Sequence, residues 1–241
     1  LASSIRKKGG TLDEVSRLEK DLIRLGDAVD EPPSDTVYAY GMRNPTGGRT
    51  RTFTDEEDER LFISGVREGM SELPHAVEAL DIAQEMSIYD EEFAEVISSA
   101  DNSFKNMVSA MGRVYQNITP NFFTERLRPY FEPREINGET YLGAGGAQMP
   151  VIALDHIIWG AEDDNQMYVD YFLENEEYQP PEFRERIREI QEKDTILDSV
   201  EEEWRRGDAD ETAVNSLDAL DKLLRTQKQF RQVHLITAKE N

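Results

Sequence analysis

Between Asp90 and Ile118 the apolar residues Phe93, Val96, Ile97, Phe104, Met107, Val108, Met111 and Val114 recur three and four positions apart. That interval is the repeat of one face of an α-helix, and it lasts too long for a strand or a turn, so the stretch predicts a long helix with one buried stripe. The same period returns along most of the chain. It predicts helices over 11–27, with Thr11 as N-cap and Leu12, Val15, Leu18, Leu22 and Leu25 on one face, and again from Thr54. Pro74 is expected to end that second helix, because an interior proline removes a backbone donor and clashes with the preceding turn.

Later segments follow the same logic. "TPNFFTERLRPYF" opens with Thr-Pro, a helix-start signal, and Pro129 ends or kinks it. "VIALDHIIWG" is apolar on nearly all sides and therefore buried, with Gly160 as its stop. Helical runs are expected at about 166–177, 180–205 and 211–238. Two stretches break the pattern. Residues 31–53, rich in proline and glycine, read as irregular with a short extended piece at Val37–Tyr40, and 132–149 reads as a non-helical connection. The expected class is all-α with one glycine-rich loop. Residues 1–50 form an N-terminal helix with an irregular lead-in segment, and 51–241 form the helical domain.

Composition closes off several functions. No cysteine is present, which excludes disulfides, thiolate nucleophiles, iron–sulfur clusters and cysteine zinc sites, and makes a reducing cytoplasm the expected compartment. A net charge of −23 repels nucleic acid and anionic membranes alike. No apolar run of about 18 residues is available to span a bilayer. The acidic, lysine-poor surface suits high salt, and plain solubility explains it equally well.

With three histidines, candidate chemistry is sparse. Glu72-Leu73-Pro74-His75 has the Glu-x-x-His spacing of di-iron bundles, but such sites need two copies, so His75 reads as structural or exposed. "GDADET" at 207–212 lacks the glycine and the bidentate glutamate of a calcium loop. "GAGGAQ" lacks the ending of a phosphate loop, but its glycines allow backbone to lie against a flat ligand. His156 beside Asp155 reads as a core histidine held by a local hydrogen bond. His234 sits near the end of the last helix, with Phe230 and Arg231 one turn before it and Leu220, Leu223, Val233 and Thr237 flanking the same face. Periodicity alone favours a satisfied core histidine there. An axial haem ligand, with the arginine pairing to a propionate, fits the same pattern.

The order of five segments adds what spacing does not. "NFFTERLRPYF", "YLGAGGAQMP", "VIALDHIIWG", "EYQPPEFRERI" and "FRQVH" follow one another as do the corresponding segments of the haem-dependent indoleamine/tryptophan 2,3-dioxygenase superfamily. The chain resembles most the branch related to monodechloroaminopyrrolnitrin synthase. The resemblance runs from about Phe53 to the end. It implies haem b held by His234 as the iron ligand, with Arg231 at a propionate. Phe122 and Phe123 would line the distal pocket, and Arg128 (or Arg126) would bind the substrate carboxylate. Gly145 and Gly146 would cover the haem edge, Phe53 would stand at the distal entrance, and Glu59 or a neighbour would replace the small hydroxyl residue near the iron.

The implied function is a haem-dependent oxygenase acting on tryptophan or a related indole, with dioxygen or peroxide bound opposite the histidine. The alternative is a non-catalytic helical haem- or ligand-binding sensor or scaffold. The superfamily's Gly-Thr-Gly-Gly segment, expected after the proximal helix, does not occur before Asn241, and family members extend further at the N-terminus. The resemblance therefore implies either a shorter chain or a pocket closed in another way.

Overall fold

A computed structural model describes residues 2–119, 121–145, 151–160, 166–207 and 210–239. Its helices are α1 (Ala2–Lys7), α2 (Ser16–Val29), α3 (Val37–Tyr40), α4 (Glu57–Gln84), α5 (Phe93–Asn117), α6 (Val151–Trp159), α7 (Gln166–Glu176), α8 (Pro181–Gln191), α9 (Ile196–Arg206) and α10 (Glu211–Lys239). A hairpin, β1 (Arg134–Ile136) and β2 (Glu139–Tyr141), is the one sheet among the described residues. The architecture is all-α, as the periodicity predicts. No described helix is long and apolar enough to cross a membrane.

Three long helices make the centre: α5 lies along both α4 and α10. The stripe predicted on α5 faces that contact, with Phe93, Ile97, Phe104 and Met107 buried and Val96, Val108 and Met111 packed at its margin. Across it stand Leu73, Ala76, Val77 and Leu80 of α4, and Leu220, Leu223 and Phe230 of α10. Each such aliphatic or aromatic side chain contributes roughly 1.5–3 kcal/mol on burial, which outweighs local irregularities in the helices that carry them. α6 packs against α4, α8 and α9 at once, which is why its sequence is apolar on every side. Gly160 ends it at φ +60°, donating its N–H to His156 O at 3.0 Å in a left-handed cap.

Several boundaries differ from expectation, each for a physical reason. α4 does not stop at Pro74 but runs through it, because Leu73, Ala76 and Val77 on either side are locked into the α5 contact while Pro74 itself faces solvent. Val37–Tyr40 is a helical turn, not an extended piece, since Thr36 caps it by accepting a hydrogen bond from Ala39 N at 3.1 Å. The helix expected over 11–27 begins only at Ser16, after a 3-10 turn over Asp13–Val15; Leu12 before it and Leu18, Leu22 and Ile23 on it pack inward, but Val15 and Leu25 are exposed. The run expected over 180–205 is two helices. Thr195 caps α9 by accepting from Asp198 N, and Lys193 of the break is pinned to Asp81 and Glu85 near the end of α4.

The Phe122–Leu127 segment winds as a π-helix, then tightens to a 3-10 turn over Arg128–Tyr130. The connection after it holds the hairpin, formed by Asn137 and Gly138 at φ 54° and 80°, the paired positive angles of a type I′ turn. The N-terminal segment packs on this hairpin, Leu12 and Ala2 against Ile136.

Replacing Pro74 with alanine restores the missing backbone bond in an exposed helix interior. The proline penalty of about 3 kcal/mol, less the roughly 0.4–1 kcal/mol that proline removes from unfolded-state entropy, predicts a gain of about 2 kcal/mol. Urea unfolding of Pro74→Ala measures it, and a lower midpoint would contradict continuous packing of α4.

Candidate functional site

The segment between α3 and α4 has little regular structure, and side chains hold it instead. Buried Asn44 donates to Tyr40 O at 2.9 Å and Arg51 O at 2.8 Å, while its Oδ1 accepts from Arg51 N at 2.9 Å. Arg67 of α4 donates to the carbonyls of Gly41 and Asn44. The segment then delivers Phe53 and Thr54 onto Glu59, whose side chain is 0% exposed. Glu59 Oε1 accepts from Tyr40 Oη at 3.2 Å and Phe53 N at 2.7 Å, and Oε2 accepts from Thr54 N and Thr54 Oγ1, both at 2.6 Å. Two donors on each oxygen fill the carboxylate's acceptor capacity. Burial first, then the charge and hydrogen bond of Glu59, push the Tyr40 phenol far above its ordinary value, so it stays a donor.

Fixed this way, Phe53 becomes the middle of an aromatic stack. Its ring lies 5.5 Å from Tyr40 and 4.9 Å from Tyr130, nearly parallel to both, and Lys7 Nζ caps the stack 4.3 Å from the Tyr130 ring. Phe131 stands edge-on to Tyr40 and Phe53, and Phe62 lies between Phe123 and Phe131. Phe122, Leu127, Ile63 and Ala144 complete the cluster. Each offset or edge-on aromatic pair adds about 0.5–1.5 kcal/mol beyond the area it buries.

The π-turn matters to this wall. Phe122 and Leu127, five residues apart, are both buried, and Arg128 N donates to Phe123 O. An α-helix would place residues four apart on one face; the wider turn shifts the register by one. Arg126 is paired with Glu56 at 2.6 Å, whereas Arg128 is exposed with no ion pair among the described residues. The glycine loop joins through Ala144. Gly143 passes so close to the preceding segment that a Cβ there would lie 2.2 Å from Phe131 O. Leu142, at the root of the loop, donates its N–H to Tyr178 Oη and accepts from Ser34 Oγ, both at 2.7 Å. Burial first raises the Tyr178 phenol, to about 12.

A second polar group lies on α6 and α10. Asp155, buried, accepts from Gln227 Nε2 at 2.6 Å and is ion-paired with Arg231, which also lies over the Trp159 ring at 5.7 Å. Desolvation raises the Asp155 carboxyl, opposed by Arg231 and Gln227. His156 does not share this group. Successive helical residues point about 100° apart, so Asp155 meets α10 while His156 turns to Tyr168 and Phe172 of α7. The expected local hydrogen bond is absent: His156 Nδ1 is buried with no partner among the described residues. Its burial lowers the imidazole's affinity for a proton.

The structure thus brings Phe53, Glu59, Phe122 and Phe123 together with the residues beside Gly145, and sets Arg231 in a separate polar group. Gly146 and the side chain of His234 lie outside the described residues, though the backbone of α10 carries position 234. His75 is exposed, and no group of three metal-ligating side chains occurs among the described residues. Sequence reasoning passed over Tyr40, Asn44, Phe62, Tyr130, Phe131 and Tyr178. The aromatic pair in "RPYF", directly after the double phenylalanine, is the signal that could have revealed two of them.

Two predictions follow from these contacts. Glu59→Gln turns one acceptor oxygen into a donor and leaves two N–H or O–H groups facing it, so urea unfolding should show a loss of about 2–4 kcal/mol. A loss below about 1 kcal/mol would mean that the carboxylate does not hold the loop. For His156 the folded state binds a proton less readily than the unfolded chain. Its stabilising contribution is present above the ordinary value of 6.5 and is lost as pH falls below it. Wild type should therefore lose stability across that window more steeply than His156→Phe, and equal slopes would contradict the burial.

One comparison with known proteins bears on this geometry: the family described as monodechloroaminopyrrolnitrin synthase PrnB matches residues 8–224. The match takes in the aromatic cluster, the glycine loop and Asp155, and ends before Arg231 and His234. By a match over most of its length, the chain belongs to the monodechloroaminopyrrolnitrin synthase PrnB family.

Proposed function

We propose that this protein is a haem-dependent oxygenase acting on tryptophan or a related indole metabolite. The observation that carries the reading is the aromatic wall of Phe53, Phe62, Phe123, Tyr130 and Phe131, set rigidly by Glu59 beside the glycine loop in a chain of this synthase family. Such a wall suits a flat, electron-rich ring, and water has little to bond with there.

Haem b is flat and apolar with two anionic propionates, and it needs an axial donor. Two residues of α10 are proposed to meet that need. One end of the Arg231 guanidinium, Nη2, is paired with Asp155, itself fixed by Gln227, and the side chain stays half exposed, which leaves its remaining N–H groups for an incoming carboxylate. His234, three residues further on the same helix, is the proposed axial donor. When bound, haem supplies iron able to activate dioxygen.

In this reading Phe122 and Phe123 bound the substrate ring, and Phe53 closes the side where α4 begins. Arg128, exposed and set by the π-turn one turn above Phe123, takes the substrate carboxylate in this reading, with Arg126, which is paired with Glu56, as the alternative. Glu59 acts on the pocket through Phe53 and Tyr40. Gly145 and Gly146 let the loop backbone approach the ligand closely.

Purified protein titrated with haem should develop a Soret band with one-to-one stoichiometry. His234→Ala should abolish its histidine-ligated spectrum, and Arg231→Ala should weaken haem binding about tenfold. The reduced, haem-loaded protein should consume L-tryptophan or a substituted indole under dioxygen. An unchanged spectrum in His234→Ala would remove the proposed ligand, and haem binding without turnover of any indole would remove the oxygenase reading.

A further inference from the structure

Four side chains of α6 and α10 form a ladder. On α6, Asp155 and Trp159 are four residues apart, and on α10 so are Gln227 and Arg231. Residues at that spacing stand one above the other on a helix face, so the four alternate between the two helices. Gln227 Nε2 donates to Asp155 Oδ1 at 2.6 Å, and Arg231 Nη2 pairs with Asp155 Oδ2. The last rung is Trp159, whose ring has the Arg231 guanidinium carbon over it, 5.7 Å from its centre. Exposure rises along the ladder: Gln227 and Asp155 are buried, whereas the Arg231 side chain is 46% exposed and Trp159 38%.

The open end is out of keeping with the rest of α6. Every other residue of that helix is buried or half-buried, and a large aromatic side chain is usually highly buried. Here the ring meets Arg231 instead. The two contacts restrain the guanidinium in different ways. The ion pair with Asp155 fixes one end, and alone it would let the group swing about that end. A cation over an indole face, within about 6 Å of its centre, is drawn to the ring's quadrupole, and that attraction restrains the swing. Held at one end by a carboxylate and across its body by a ring, the guanidinium keeps its other N–H groups in a defined direction.

We propose that Trp159 is a positioning residue for Arg231: with Asp155 it presents the remaining N–H groups as a preformed receptor for one carboxylate. This rests on the haem reading, in which that carboxylate is a propionate. Ordering the arginine beforehand lowers the cost of binding, because a long, flexible side chain would otherwise be immobilised only when the anion arrives. It also makes the contribution of Arg231 depend on Trp159, so the two residues act on the ligand as one unit.

Haem titration of a double-mutant cycle on the full chain tests the dependence. Trp159→Leu should weaken haem binding about two- to fivefold, the effect of losing a half-exposed cation–π contact, and Trp159→Phe, which keeps a ring, should weaken it less. In the Arg231→Ala background Trp159→Leu should change the affinity no further. Equal effects in both backgrounds, or equal losses in Trp159→Phe and Trp159→Leu, would overturn the proposal. A second readout needs no haem. By its nitrogen-15 heteronuclear NOE, the Arg231 Nε–H group should be rigid on the nanosecond scale in wild type and Trp159→Phe, and mobile in Trp159→Leu. If wild type develops no Soret band, the haem reading falls and this measurement decides the role of Trp159. An Arg231 group as rigid in Trp159→Leu as in wild type, or mobile already in wild type, would overturn that role.

Discussion

The carboxylate of Glu59 has no exposure to solvent, and the donors that meet it come from the end of α3 and from the irregular segment before α4. A buried charge of this kind is tolerated only when hydrogen bonds replace its hydration, and here two donors reach each oxygen. The consequence is mechanical. With Tyr40 and Phe53 attached to one carboxylate, their rings are held parallel, and Tyr130 and Phe131 can pack on a surface that does not move. The whole aromatic wall thus rests on a polar contact behind it, while hydrophobic burial alone would let the rings slide over one another.

What the sequence revealed follows a physical divide. The stripe on α5, the burial of α6 and its stop at Gly160 were legible because each depends on periodicity or on one residue's backbone preference. The double phenylalanine was legible as a motif. The passage of α4 through Pro74 was not, because packing of Leu73 and Val77 overrides a local penalty, and packing partners distant in sequence leave no local trace. Nor was the π-turn: one extra residue per turn changes which side chains face inward without changing composition. Asn137-Gly138 did carry a hairpin signal, obscured by the weak alternation of strands only three residues long. The role of Glu59 was hidden for another reason. In "TDEEDER" it stands among five acidic residues, and only the fold distinguishes the buried one from its solvated neighbours.

The charge balance gains meaning in the same way. An excess of acid measured over the chain says little about any one site, because the arginines are placed where geometry needs a fork. Arg67 fastens two loop carbonyls, Arg231 stands on Asp155, and Arg134 is buried against Asp35. Guanidinium groups suit these places because they hold planar, multidentate contacts and stay charged when partly dehydrated. Lysine appears in a different role, as with Lys7 over the Tyr130 ring, where a point charge suffices.

The two parts of the candidate site are joined through the core and not through each other. Glu59, Phe62 and Ile63 stand in the first two turns of α4, whose later turns pack on α5, and α5 in turn packs on α10. Phe104 of α5 meets Phe230 edge-on at 6.5 Å, and the next residue is Arg231. Any change that shifts α5 is therefore felt at both ends: at the aromatic wall through α4, and at the Asp155–Arg231 pair through Phe230. Close-packed interiors transmit such shifts because they have little free volume to absorb them. The separation of wall and arginine is thus set by the stacking of three long helices, and that stacking is the same apolar repeat that runs from Phe93 to Val114.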